Sequence, residues 1–129
     1  MVELSCETDF VAKTDNFIRG IELMAQSIHH SQSDLLFTGK ESPEETAQRL
    51  HALTLHKPID ESVSSQSFED GLKFLISKVQ ENCKLGRVYQ KRRGEGEAFG
   101  YYVHNHLKPN IGKIGSVVLI ENCDKLDKG

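Results

Sequence analysis

The periodicity of the chain changes between Ser5 and Lys13, and that change limits the folds open to it. Val2-Glu3-Leu4-Ser5-Cys6 alternates apolar and polar residues at period two, whereas Phe17, Ile21, Met24, Ala25 and Ile28 recur at helical spacing. The run Cys6-Glu7-Thr8-Asp9-Phe10-Val11-Ala12-Lys13 is therefore a strand-to-helix junction. Phe10 stands inside it between an acid and a valine. A ring in that position either folds back as a core plug or stands out as an anchor for a partner. Burial at home is the commoner fate of an aromatic side chain.

At 129 residues the chain is the size of one domain with one core, and its hydrophobic content of 37% is modest. A formal charge of -3 gives no global attraction to nucleic acid or to an anionic membrane. No apolar run approaches the length needed to span a bilayer, so a soluble protein with a protein or small-molecule partner fits best. Cys6, Cys83 and Cys123 are an odd number without a CxxC pair, which suggests neither a disulfide framework nor a zinc site and favours a reducing compartment. No signal sequence or Arg-rich presequence precedes the first strand, so any targeting segment has been cut off or was never part of this chain.

Helix-start signals divide the first two thirds of the chain. Thr14 or Asp15 caps a helix running to about His30, with Phe17, Ile21, Met24 and Ile28 inward. Residues 31 to 41 read as a loop broken at Gly39. Ser42-Pro43-Glu44-Glu45 is a capping box with proline at the first helical position, opening a helix to about Leu55. Ser67, with Asp70 three residues on, caps a third helix whose Leu72, Leu75, Ile76 and Val79 share a face and which ends near Asn82 or Cys83. Beyond Lys84 the period returns to two. Leu85 to Arg93, Phe99 to His104 and Ile114 to Glu121 read as antiparallel strands, the first two joined through Gly94-Glu95-Gly96-Glu97. The fold expected is α+β, a small antiparallel sheet packed against helices.

Four stretches carry a resemblance to a known family. Cys6-Glu7-Thr8-Asp9-Phe10-Val11-Ala12-Lys13 at a strand-to-helix junction resembles translation elongation factor Ts, the guanine nucleotide exchange factor of elongation factor Tu. Lys78-Val79-Gln80-Glu81-Asn82 is similar to that family's Lys-Ile-Gly-Glu-Asn, and Gly100-Tyr101-Tyr102-Val103-His104 to its Gly-Ser-Tyr-X-His. The strand from Ile114 to Ile120 is similar to the family's Ile-Gly-Val-Leu-Val, while residues 39 to 67 offer no residue-level match. Two positions depart from the pattern: Gln80 replaces a glycine, and a pair of arginines is represented only by Arg87 after Gly86.

The resemblance implies a partner and a set of contacts. Thr8, Asp9, Phe10 and Val11 form the segment pushed into the GTPase, with Asp9 and Phe10 near its magnesium and phosphate region. Val79 and Gln80 would pack alongside on the same domain, and His104, with Tyr102 near it, would touch another. The family core has two related halves, each a small sheet backed by helices. Val117-Val118-Leu119-Ile120-Glu121-Asn122-Cys123-Asp124 echoes the first strand and its junction, so residues 1 to 129 are expected to be a single truncated core domain. Residues 1 to 84 would then belong to the first half, and 85 to 129 would lead into the second. Weak binding to elongation factor Tu and self-association through an exposed sheet edge are expected of such a fragment. The stretch Asn105 to Lys113, longer than in bacterial forms, resembles mitochondrial ones and favours the mitochondrial matrix over a bacterial cytoplasm.

Other candidates are weaker. Gly94, Gly96 and Gly100 have the wrong spacing for a phosphate loop and hold two glutamates, which repel phosphate; no cofactor is expected. His104 and His106 could share a metal but have no third ligand at convincing spacing, and none is expected. Lys91-Arg92-Arg93 beside Tyr89 would suit RNA backbone, yet a basic strand end in an acidic chain is more simply a solvated face, so no direct nucleic acid contact is expected. Cys6 has no placed histidine to activate it, and no catalytic set is visible. The competing class is a scaffold or RNA-associated fragment without exchange activity.

Overall fold

The computed structural model describes residues 1–31 and 37–121. They fall in two units, Met1–Gln90 and Lys91–Gly129. Among the described residues there are four helices and two small antiparallel sheets, an α+β fold, and no helix is long and apolar enough to cross a membrane.

The first unit runs β1 (Val2–Ser5), α1 (Asp9–Ala12), α2 (Asp15–His30), α3 (Pro43–His51), α4 (Phe68–Val79) and β2 (Lys84–Val88). Each helix begins where a hydroxyl can accept from an otherwise unpaired amide. Thr14 accepts from Phe17 N, Ser42 from Glu45 N and Ser67 from Asp70 N, and Pro43 takes the first position of α3 as the sequence pattern required. The single turn α1, capped by Thr8, is a further element inside the junction.

One face of α2, through Leu23, Met24 and Ile28, packs with Phe37, Leu50, Leu55, Ile59, Phe68 and Val88 into the main core. Each such side chain, fully buried, contributes about 1.5–3 kcal/mol. Ile21 is only half-buried, and Ile18 joins the buried set instead. A second cluster gathers Phe17, Leu75 and Cys83, with Leu4, Cys6, Val11, Ala12, Leu72, Ile76 and Val79 around it. Here α2 and α4 come so close that a Cβ on Gly20 would lie 2.8 Å from Leu75 Cδ2.

The helix ends differ from the sequence reading for local reasons. Helix α3 stops at His51 rather than Leu55 because residues 53–55 leave it to pair with 66–68. Leu55 N donates to Gln66 O at 2.9 Å and Phe68 N to Leu53 O at 3.4 Å. Helix α4 stops at Val79, where Gln80 turns left-handed at φ 60.

Strand β2 corrects a pairing. It does not form a hairpin with the next strand; it pairs antiparallel with β1, Val2 opposite Val88, Leu4 opposite Leu85 and Ser5 opposite Lys84. Period-two alternation tells which face is apolar but not which strand lies alongside, and Leu85 and Val88 bury theirs on the first strand. Beyond Val88 only Tyr89 bridges, to Thr38, and Lys91, Arg92 and Arg93 are exposed coil rather than a strand end.

The second unit is a hairpin of β3 (Ala98–Lys108) and β4 (Ile111–Ile120). Gly94–Glu97 is a local turn before it, closed by Glu97 N to Gly94 O at 3.2 Å. The reversal lies at Pro109–Asn110, with Asn110 at φ 68: proline first and a left-handed asparagine second is the chemistry of a type II turn. The stretch from Asn105 to Lys113 is thus the end of the hairpin, strand on either side of the Pro109–Asn110 turn. The register slips by one residue between His106 and Lys108, next to Asn105 at φ 55. Of the internal repeat, Val117–Ile120 lies in β4, while Asn122, Cys123 and Asp124 lie outside the described residues.

Candidate partner-binding site

The junction that the sequence singled out is built around Thr8. Its hydroxyl accepts from Val11 N at 3.3 Å, capping α1, and donates to Glu81 Oε2 at 2.6 Å, while its amide donates to Glu81 Oε1 at 2.9 Å. One carboxylate thus receives both donors of a residue 73 positions away. A carboxylate acceptor shortens and strengthens such bonds. A second tie runs the other way, from Asn82 N to Glu7 Oε1 at 3.4 Å. Thr14 closes the far end of the turn, its hydroxyl donating to Val11 O at 2.7 Å.

These bonds fix the orientation of α1. Val11 and Ala12 pack inward on the cluster of Phe17, Leu75 and Cys83, so Phe10 points away from it. Phe10 is 86% exposed, more than any other large hydrophobic residue described. The ring is therefore not a core plug. Leaving a phenylalanine in water forgoes about 2–3 kcal/mol of burial, which the remainder of the turn must offset.

Three carboxylates belong to this junction, with Lys13 at the end of the turn. Asp9 is in the first turn of α1, and Glu7 and Glu81 flank it. Burial first, and then the charges of Glu81, Asp9 and Glu7, push the Cys6 thiol above its usual range. Burial likewise pushes Cys83 up, to about 11. Neither thiol is poised as a nucleophile at neutral pH. The arrangement is an exposed apolar tip on a turn tied to α4 through Glu81.

The structure brings Thr8, Asp9, Phe10 and Val11 together with the end of α4. Val79 packs on the same cluster as Val11, and Gln80 follows as an exposed left-handed residue whose N–H donates to Ile76 O at 2.8 Å. Tyr102 and His104 belong to the second unit. They sit two apart on one face of β3, with Tyr102 Oη 3.1 Å from His104 Nδ1, and both are exposed. Ile114 lies opposite His104 and Val118 opposite Gly100, which puts two further exposed apolar residues on that face.

Glu81 is the residue that sequence reasoning passed over. It stood in the quoted Lys78–Asn82 stretch without a role, and nothing local connects it to Thr8.

The family model described as Elongation factor TS matches residues 7–128. The chain is similar to the mitochondrial elongation factor Ts of Ostreococcus tauri, 33% identical over 97% of this chain and 38% of that protein. The mitochondrial elongation factor Ts of Xenopus laevis is 27% identical over 96% of this chain and 40% of its own length. The elongation factor Ts of Allorhizobium ampelinum is 29% identical over 95% of this chain and 33% of its own length. The chain thus spans well under half the length of these curated relatives. No solved structure matches it.

Proposed function

Because the chain belongs to the elongation factor Ts family, we propose that it acts on elongation factor Tu as a guanine nucleotide exchange factor, with Phe10 as the anchor. The observation that supports this is the solvated ring on a one-turn helix whose base is tied to α4 by Glu81. Thr8 and Val11 hold the ring out, Asp9 adds charge beside it, and Val79 and Gln80 extend the same surface. Tyr102 and His104 supply a second contact on the hairpin.

Exchange is a coupling between two ligands of the GTPase. A partner that binds it better without GDP must weaken GDP by the same factor. Each tenfold loss of affinity needs about 1.4 kcal/mol. Burying one phenylalanine supplies roughly 2–3 kcal/mol, so Phe10 accounts for about two decades and any larger effect recruits the remaining contacts. We also propose a mitochondrial matrix protein rather than a bacterial one, a reading supported by the long stretch between His104 and Ile114; imaging of the full-length product tests this, and a cytosolic signal in a eukaryotic cell would refute it.

The decisive assay follows release of a fluorescent GDP from elongation factor Tu. Addition of the chain is expected to accelerate release, and Phe10→Ala to abolish most of the acceleration while shifting the thermal midpoint by less than about 2 °C. By contrast, Phe68→Ala, at a residue 1% exposed, should remove about 3–5 kcal/mol of stability. A Phe10→Ala chain that releases GDP at the wild-type rate would overturn the anchor role; a wild-type chain without effect on release would favour a scaffold without exchange activity.

A further inference from the structure

The two described cysteines, far apart in sequence, each lie one residue beyond the paired ends of β1 and β2. Leu4 lies opposite Leu85 and Ser5 opposite Lys84. One further step of the same register, just past the strand ends, would set Cys6 opposite Cys83. Beyond it, side chains still join the same two segments, as Glu7 accepts from Asn82 N and Thr8 donates twice to Glu81. The cysteine pair is thus bracketed on both sides by residues already in contact. Directly opposed residues of antiparallel strands have Cα atoms about 4.5–5.5 Å apart, inside the roughly 4.4–6.8 Å that a disulfide spans. Opposed side chains also leave the sheet on the same face. Both thiols enter the same apolar cluster, Cys83 buried and Cys6 partly open to solvent.

We propose that Cys6 and Cys83 form a redox-active dithiol that a low-molecular-weight disulfide, such as oxidised glutathione, converts to an intramolecular disulfide. Cys6, the accessible member, loses its proton and attacks one sulfur of the small disulfide; a mixed disulfide forms and one glutathione thiolate leaves. Cys83 then loses its proton and attacks the Cys6 sulfur, forming the Cys6–Cys83 bond and expelling the second glutathione thiolate. The two protein thiols are oxidised by two electrons, and the small disulfide is reduced to two thiols, which take up the two protons. The present weak bonds of Cys6 Sγ to Thr8 O (3.2 Å) and of Cys83 Sγ to Glu81 O (3.6 Å) give way. Because burial holds both thiols protonated at neutral pH, oxidation is slow there and accelerates as the pH rises. The bond would clamp the base of the Phe10 turn to the end of α4 without touching the ring.

The test uses the full chain carrying Cys123→Ser, so that no third thiol competes. It is treated with excess oxidised glutathione at about pH 8.5, near the pKa of a free thiol, then alkylated and analysed by intact mass and peptide mapping. The expected product has lost two hydrogens, takes up no alkylating agent, yields a linked Cys6–Cys83 peptide and reverts under dithiothreitol. Its thermal midpoint should lie above that of the reduced chain. In the same background Cys83→Ser should stop at one glutathionyl adduct on Cys6. A folded Cys123→Ser chain that ends with stable glutathionyl adducts or two alkylated thiols would overturn the proposal. So would a disulfide that forms in urea but not in the native chain.

Discussion

Replacing Gln80 by glycine should make the protein more stable, although it deletes a whole side chain. Gln80 follows α4 at φ 60, ψ 29, the left-handed geometry in which an L side chain crowds its own carbonyl. That crowding costs roughly 1–2 kcal/mol. Glycine escapes it but has more freedom to lose on folding, which takes back about 0.5–1 kcal/mol. The net gain expected is about 0.5–1 kcal/mol, since the Gln80 N–H to Ile76 O bond that closes the helix needs only the backbone. For a unit the size of Met1–Gln90 that is a rise of roughly 2–8 °C in thermal midpoint. Gln80→Ala is the control, because it trims the side chain yet keeps the Cβ, and it should gain nothing. Thermal melts by circular dichroism, with urea titrations to confirm an unchanged slope, measure both variants. A Gln80→Gly chain melting below the wild type, or Gln80→Ala rising as far as Gln80→Gly, would refute the reasoning.

Glu81→Ala should remove about 1–2 kcal/mol, the sum of two carboxylate hydrogen bonds discounted for exposure, and hydrogen exchange should show the Thr8 amide losing protection. Acid stability should depend on Glu41, whose carboxylate takes the Thr38 and Gly39 amides and pairs with Arg49 at 2.8 Å. The Thr38 backbone bond chiefly lowers its pKa from 4.5 to about 2. A carboxylate held low in the folded state stabilises above its unfolded pKa, and that contribution drains as the pH falls from 4.5 towards 2, when both states become protonated. Glu41→Gln should therefore lower stability at neutral pH and flatten its pH dependence in that window, as urea titrations at several pH values will show. Sedimentation should reveal concentration-dependent self-association reduced by Val118→Glu, as Tyr102, Ile114 and Val118 stand exposed on one face of the hairpin; a strictly monomeric wild type would refute this.

What could be read from the sequence was local. Thr14, Ser42 and Ser67 announce their helices because a cap acts on amides two or three residues away. The end of α3 could not be read, because the residues after His51 leave the helix to bond Gln66 and Phe68. Strand β2 was legible as a strand but not as the partner of β1, because alternation carries no address. At the site, the resemblance supplied Thr8 to Val11, Val79 and Gln80, Tyr102 and His104. The fold alone put the first two groups side by side and left Phe10 in solvent. Glu81 escaped notice because its partner is 73 residues distant.

The pairing of the unit's first strand with its last has a consequence for biosynthesis. As the polypeptide leaves the ribosome, Thr8, at the start of the Phe10 segment, emerges 73 residues before the carboxylate that will hold its turn. Until Glu81 and β2 are out, β1 has no neighbour in its ladder and α1 lacks two of its hydrogen bonds. A long loop must close before those contacts give any return, which makes such pairing slow to form. A newborn chain therefore carries Phe10 on unfixed backbone for most of the unit's synthesis, and the turn that holds the ring out in solvent is tied down only once Glu81 and β2 have emerged.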